Sequence, residues 1–330
     1  MRRTSLLLGM LLLLPAIACA EATPIGEYDY PRATVDMTVR QVSGHVYCVE
    51  GVPGALTGNQ GFVANAGFIV TGAGVVVFDA LGSPALARLL LEKIRGITDE
   101  PVVRVVVSHY HADHIYGLQV FADLGAEILA PDGSDEYLES EEARRGLEER
   151  RITLAPWVDE HTRLVRPDHY LGEGTRFRLG DVEFIITLLS AAHSDGDLSL
   201  YVDPDRVLFS GDIVFQDVVP FLGDADTRHW LKVLERMEKE HLAALVPGHG
   251  PVVNDPRKAI DFTRRYLEYL RETMGAAVQV LVPFDEAYAG VDWGAFEELP
   301  AFAEANRRNA YQVYLSLEAE MLGEKSSPAN

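Results

Sequence analysis

The sequence predicts an α/β sandwich of four layers, with two β-sheets packed face to face and helices on both outer surfaces (αββα). Three observations predict it. Each half of the chain runs short β-branched segments first and amphipathic segments after them. Gly-containing turns separate many of the short segments, as in antiparallel hairpins. No Pro- or Ser-rich linker divides the chain beyond its N-terminal segment, so the two halves are expected to share a core. At 330 residues and 48% hydrophobic, the chain has apolar material for one large domain or two small ones.

Taken in order, Met1-Arg2-Arg3, the apolar run Leu6 to Leu14 and the small residues up to Ala20 have the three regions of a secretory signal. Residues 1–20 are therefore expected to be a signal peptide, with the protein periplasmic or secreted. The run is too short to span a bilayer, and Cys19 leaves open a lipid anchor and an outer-membrane location. Residues 21–255 then read as one layered domain and 256–330 as a C-terminal helical extension packed on it. Val39 to Val42, Val46 to Val49, Gly67 to Val70 and Val75 to Phe78 read as antiparallel strands. A helix follows, capped by Ser83, with Pro84 in its first turn, Leu86, Leu89, Leu90 and Ile94 on one face, and Gly96 at its end. Val102 to Val107 is short, β-branched and led by Pro101, which fits a strand buried on both faces.

From Asp113 the spacing of Ile115, Leu118, Val120, Phe121 and Leu124 predicts one helix ending at Gly125, followed by a strand over Glu127 to Ala130. Residues 134–151 are charge-dense at helical spacing and predict one exposed helix with i,i+4 ion pairs, a candidate lid. Hairpins are expected at 175–189 and 198–210, around the turns Gly180-Asp181 and Asp203-Pro204-Asp205-Arg206. A helix over 227–240 would bury Trp230, Leu231, Leu234 and Met237. A strand over 242–246 and helices over 257–274 and 302–322 complete the chain.

The segment His109-Tyr110-His111-Ala112-Asp113-His114 puts three of the 10 histidines and a carboxylate within six positions, just past a predicted strand. A His-rich turn can simply be solvated. Here, however, Asp79, His193, Asp212 and His249 each follow another predicted strand, beside Gly, Ser or Ala. Five strand ends delivering a polar residue point jointly to a ligand site, because strand ends are where layered α/β proteins present side chains. Neutral imidazole and carboxylate suit zinc, and also iron or manganese. His45, His161, His169, His229 and His241 lack this context, although His161 and His169, with Trp157 and Tyr170, could line a substrate pocket. Cys48 is left as a buried apolar residue of a strand, unable to form an internal disulfide once the signal is removed. The net charge of −21 repels polyanions and argues against nucleic acid.

In His109-x-His111-x-Asp113-His114, followed in order by His193, Asp212 and His249, the chain resembles the metallo-β-lactamase-fold superfamily over about residues 35 to 255. The resemblance implies that family's fold, with the C-terminal helices added. It also implies one metal on His109, His111 and His193, a second on Asp113, His114 and His249, and Asp212 bridging both. Asp79 would be a buried residue that orients the ligands through hydrogen bonds. Two zinc ions are expected, with iron or manganese as alternatives. They would activate a shared water for attack on a small ester, thioester or lactone-like substrate, and Asp113 would also accept a proton. Asp212, where other members carry Cys or Ser, is similar to glyoxalase II-like members. The His193-Ser-Asp-Gly-Asp197 segment and the N-terminus are similar to exported metallohydrolases of sulfur-oxidation and quinoprotein-relay gene sets. Tyr116, where many relatives carry Gly, would either face the pocket or pack. A mononuclear iron persulfide dioxygenase and a β-lactamase are the alternatives that the same resemblance leaves open. The partner expected is a small molecule, and oligomeric state is not legible.

Overall fold

The computed structural model describes residues 30–54, 56–189, 191–223, 225–238 and 240–323, so the expected signal at 1–20 and its Cys19 lie outside the described residues. The first sheet opens as an antiparallel meander of β1 (Val39–Gln41), β2 (Val46–Val49), β3 (Ala66–Val70) and β4 (Val75–Phe78). From β4 the chain passes through α1 (Pro84–Arg95) to β5 (Val102–Val106). It continues through α2 (Ala112–Ile115) and α3 (Leu118–Ala122) to β6 (Glu127–Pro131), and through α4 (Ser134–Glu139) and α5 (Glu141–Thr153) to β7 (His169–Leu171). β4 to β7 pair in parallel, as helical crossovers require. The second sheet holds β8 (Arg176–Leu179), β9 (Val182–Leu188), β10 (Leu198–Asp203) and β11 (Val207–Phe209) in antiparallel pairs. α6 (Thr227–Met237) then crosses to β12 (Ala244–Val246), parallel to β11. α7 (Pro256–Gln279), α8 (Phe284–Ala289) and α9 (Phe302–Leu322) follow.

Side-chain alternation along the strands builds three stacked apolar clusters, which make the four layers. Val76 and Phe78 of β4 join Phe184, Phe209 and Val246 of the second sheet between the sheets. Val75 and Val77 join Leu86, Leu90 and Ile94 of α1 on the outer face of the first sheet. Leu208 and Leu245 join Trp230, Leu234, Leu267, Leu270 and Val313 of α6, α7 and α9 on the outer face of the second. Each such side chain contributes roughly 1.5–3 kcal/mol when fully buried. Cys48 lies inside the sandwich as a free, fully buried thiol.

Four expectations are corrected. The helix predicted from Asp113 to Leu124 is two helices, broken at Tyr116-Gly117. The Ala80 amide takes the His114 carbonyl at 2.8 Å, and the Gly117 amide donates to Leu81 at 3.1 Å. Backbone from beyond β4 thus captures bonds that a continuous helix would need. Gly117 is required there, since a Cβ would lie 2.0 Å from the Ala80 carbonyl oxygen. The charge-dense helix is likewise two, because Ser140 caps α5 by accepting from the Ala143 amide at 3.0 Å. Its ion pairs Arg144–Glu141 and Arg151–Glu148 are i,i+3, not i,i+4, and Ala143 and Leu147 are buried. In α6 it is Val233 that is buried with Trp230, Leu234 and Met237, whereas Leu231 is only partly covered. The segments β7 and α8 were not anticipated. β7 is three residues long and α8 six, and neither carries a legible apolar period.

Candidate metal centre

β4 and β5 run in parallel, and β9, β11 and β12 run in one common direction, because β10 is antiparallel to both β9 and β11. Their C-terminal ends therefore open on one edge of the sandwich. The Leu198 amide, bonded to the Ser108 carbonyl at 2.9 Å, ties the two sheets together there. Asp79, the His109–His114 segment, His193, Asp212 and His249 all emerge at this edge.

Two groups form. His109, His111, His193 and Asp212 make one, and Asp113, His114 and His249 the other, with the ligand atoms of each group within 4.8 Å of one another. His111 Nδ1 lies 2.9 Å from both His109 Nε2 and His193 Nε2. Asp212 stands on the seam between the groups. Its Oδ1 is 3.2 Å from His114 Nε2, and its Oδ2 is 3.2 Å from His249 Nε2, 3.5 Å from His193 Nε2 and 3.9 Å from His109 Nε2. Asp113 Oδ2 lies 3.3 Å from His249 Nε2. Gly248 makes room for this seam, since a Cβ there would fall 2.0 Å from Asp212 Oδ1.

The surrounding contacts set the tautomers. His114 Nδ1 donates to Asp79 Oδ2 at 2.8 Å. The Ser108 hydroxyl also donates to Asp79 Oδ2, at 2.7 Å, so His109 Nδ1, 2.9 Å away, must donate to Ser108 Oγ. His249 Nδ1 donates to the Val63 carbonyl at 2.9 Å. Each of the three rings thus turns its Nε2 toward the cluster, the arrangement that orients metal-ligating histidines. His114 Nε2 and Asp212 Oδ1 are buried and, though close, have no hydrogen-bond partner among the described residues. Converging ring nitrogens and orphaned buried ligand atoms fit a cation, which would displace the protons held there, and N/O donors of this kind suit zinc, iron or manganese.

Electrostatics divide the rings. Burial pushes the His193 imidazole down to about 3 and lowers His109 and His111, keeping them neutral. For His249, burial opposes charging but Asp212 and Asp113 outweigh it, and the ring is pushed up to about 10. His114 moves the same way against burial, under Asp212, Asp79 and Asp113. The carboxyls of Asp113 and Asp212, also buried, are held below the ordinary range by His114 and His249.

Residues that the motif did not announce hold the ligands in place. Asp197 accepts from the His193 and Ser194 amides at 2.9 and 2.7 Å, fixing the turn that carries His193, and burial pushes its carboxyl up to about 7. Asn65 donates to the carbonyls of Pro247 and Gly250, both at 2.8 Å, and so braces the turn that carries His249. Phe215 stacks on His249 at 5.2 Å, and Trp230 meets His193 edge-on at 5.3 Å. Ser194 serves its turn through Asp197, and Tyr116 packs in the core. His161, His169 and Tyr170 are exposed and Trp157 is half-buried, and none of them belongs to either ligand group. Of these supporting residues Asp197, which closes the His193 segment, and Trp230, expected on the buried face of the 227–240 helix, had a sequence signal. Asn65 and Phe215 act from distant segments.

A family model described as the metallo-beta-lactamase superfamily matches residues 59–249. The chain is 24% identical over 210 residues to the metallo-beta-lactamase IND-1 of Chryseobacterium indologenes, covering 62% of this chain and 77% of that one. It is 31% identical over 173 residues to the acyl-coenzyme A thioesterase MBLAC2 of Gallus gallus, covering 48% and 60% respectively. Among solved structures, the stereoselective inverting sec-alkylsulfatase Pisa1 from Pseudomonas sp. superposes with a TM-score of 0.61 at 20% identity, over 88% of this chain and 51% of that one.

Proposed function

Since this chain belongs to the metallo-beta-lactamase superfamily, whose model spans more than half of it, we propose that it is an exported dinuclear zinc hydrolase of a small ester, thioester or lactone-like substrate. The observation that carries this reading is the division of Asp212, one carboxylate oxygen toward His114 and the other toward His249, His193 and His109. A carboxylate so placed serves two ligand groups at once. His109, His111 and His193 would hold one ion, and Asp113, His114 and His249 the other, with Asp212 shared. Such ions, when bound, lower the pKa of a shared water towards 7 and polarise the scissile bond.

The chain's own groups do the rest. Asp79, Ser108 and Val63 keep Nε2 of His114, His109 and His249 aimed inward. Phe215 and Trp230 wall the site with apolar rings, which strengthens every charge interaction inside it. Asp113, 19% exposed where the other ligand carboxylate is 4%, would be the ligand that takes a proton from the attacking water. A thioester is favoured within the substrate panel by the similarity to a relative named an acyl-coenzyme A thioesterase. A β-lactam belongs in the panel because another relative is named a metallo-beta-lactamase.

The test is metal content of protein purified without chelator, paired with hydrolysis of a thioester, a lactone and nitrocefin and with oxygen uptake on a persulfide. Two zinc ions per chain, both lost in Asp212→Ala together with hydrolysis, are expected. One iron per chain with oxygen uptake and no hydrolysis would replace the reading by persulfide oxidation.

A further inference from the structure

The loop after the Asp212 turn carries Phe221 to the mouth of the centre. Its ring meets the His111 ring edge-on at 6.3 Å, while 37% of the residue stays exposed. This loop is clamped from α9. Asn309 Nδ2 donates to the Pro220 carbonyl at 2.6 Å, and Asn309 Oδ1 accepts from the Leu222 amide at 3.1 Å, so the residues on both sides of Phe221 are pinned. The Val219 amide adds a bond to the Pro300 carbonyl at 3.0 Å.

The residue before Asn309 lies over that same ring, with the Arg308 guanidinium 5.1 Å from the Phe221 centroid. Taken together, the two spacings put this cation within about 11.4 Å of the His111 ring. Arg308 is exposed and has no ion-pair partner among the described residues. Its neighbour Arg307 is engaged, paired with Asp285 at 2.6 Å and stacked on Phe284 and Tyr288. An arginine seated over an aromatic ring can still offer N–H groups to a carboxylate, and the contact restricts rotamers it would otherwise lose on binding.

We propose that Arg308, seated on Phe221, is the specificity-determining residue of this centre and receives a carboxylate at the far end of the substrate, while an apolar spacer crosses Phe221 to the reacting carbonyl. The assignment rests on the hydrolase reading above and names its substrate class, acyl compounds with a distal acid group. A single carboxylate suits the site better than a polyphosphate, because a net charge of −21 repels highly charged anions.

The test uses the zinc-loaded full chain and Arg308→Gln, which keeps a planar polar head and removes the charge. Turnover is compared for paired 4-nitrothiophenyl thioesters of adipate and of its neutral amide, adipamate. Binding of 4-phenylbutyrate and 4-phenylbutyramide is measured by calorimetry in parallel. The wild-type chain is expected to favour the acid of each pair, and Arg308→Gln to lose about tenfold in kcat/KM and in affinity for the acid alone, through a charge-assisted contact. A carboxylate held by the metals themselves would be unaffected by the substitution, so the difference between the two proteins isolates Arg308. Hydrolysis of both thioesters with no acid preference, or with a preference that survives Arg308→Gln, overturns the assignment and leaves the hydrolase reading intact. An Arg308-dependent binding difference without any turnover upholds the carboxylate site and removes these thioesters from the hydrolase reading, whose own test is the wider panel above.

Discussion

Asp79 and His114, both buried, are joined by a 2.8 Å contact between the carboxylate Oδ2 and the imidazole Nδ1. The same oxygen accepts from the Ser108 hydroxyl, which in turn accepts from His109 Nδ1, while Asp79 Oδ1 accepts from the Ser108 amide at 2.7 Å. One carboxylate thus orients a histidine in each ligand group. It does so from a left-handed backbone conformation, φ 60°, which costs of order 1–3 kcal/mol in a non-glycine residue and persists only where the surroundings hold it.

Asp79→Asn tests that relationship. The amide nitrogen would donate where Oδ2 accepted, turning His114 Nδ1 into an acceptor and moving its proton to Nε2, where it blocks a ligand lone pair. Zinc affinity is expected to fall about 10–100-fold with little change in far-ultraviolet circular dichroism. Competition with a chromophoric chelator measures it. Unchanged affinity would show that the tautomers are set without Asp79.

Gly248→Ala probes the seam between the groups. The added methyl would lie 2.0 Å from Asp212 Oδ1 and 2.8 Å from the Gly211 carbonyl carbon, so either Asp212 or the backbone must move. Overpacking of this kind costs typically about 1–3 kcal/mol. Thermal unfolding of the metal-free chain should report that loss, and zinc titration a weakening at both positions. A variant as stable as the parent, with full zinc affinity, would mean that the Asp212 carboxylate is free to relocate.

The ordered set from Asp79 to His249 was legible because each residue follows a short apolar run, and strand ends are where such runs stop. The strands Val75 to Phe78 and Val102 to Val106, and the Ser83-Pro84 helix start, were legible from local chemistry, whereas the parallel pairing of those two strands was not. The break at Gly117 was not, since it depends on amides of Ala80 and Gly117 bonding across the gap between β4 and α2. The split at Ser140 was in principle readable, as Ser140-x-x-Ala143 is a capping position, but continuous charge spacing masked it. Phe221 and Asn309 lie 88 positions apart in sequence and meet only when α9 packs on the second sheet, which no local pattern announces.

Proton competition makes the metal affinity of the His249 group pH-dependent. In the metal-free chain the His249 ring is raised to about 10 from an ordinary value near 6.5. Its charged form therefore stabilises the fold fully below about pH 6.5, and that contribution fades as pH rises toward 10. An incoming ion must displace this proton, so the apparent zinc affinity should climb between pH 6.5 and 8.5, by up to about tenfold per unit for each proton released. The gap in melting temperature between zinc-loaded and metal-free chains should widen over the same interval. A flat affinity from pH 6.5 to 8.5 would contradict a protonated His249.

Asn309→Ala separates the support of the mouth from the support of the ligands. Asn309 is 1% exposed, and its amide binds the Pro220 carbonyl, the Leu222 amide and the Tyr266 hydroxyl, the last at 2.8 Å. Truncation leaves the first two groups buried and unpaired, at about 1–3 kcal/mol each, so the melting temperature should fall by several degrees. No candidate ligand touches Asn309, and zinc stoichiometry should stay at the parent value. Phe221, held between Pro220 and Leu222, loses its fixed place over His111, so KM should rise more than kcat falls. Loss of zinc in step with stability would instead make α9 a support of the ligand cluster itself, with the mouth and the centre acting as one unit.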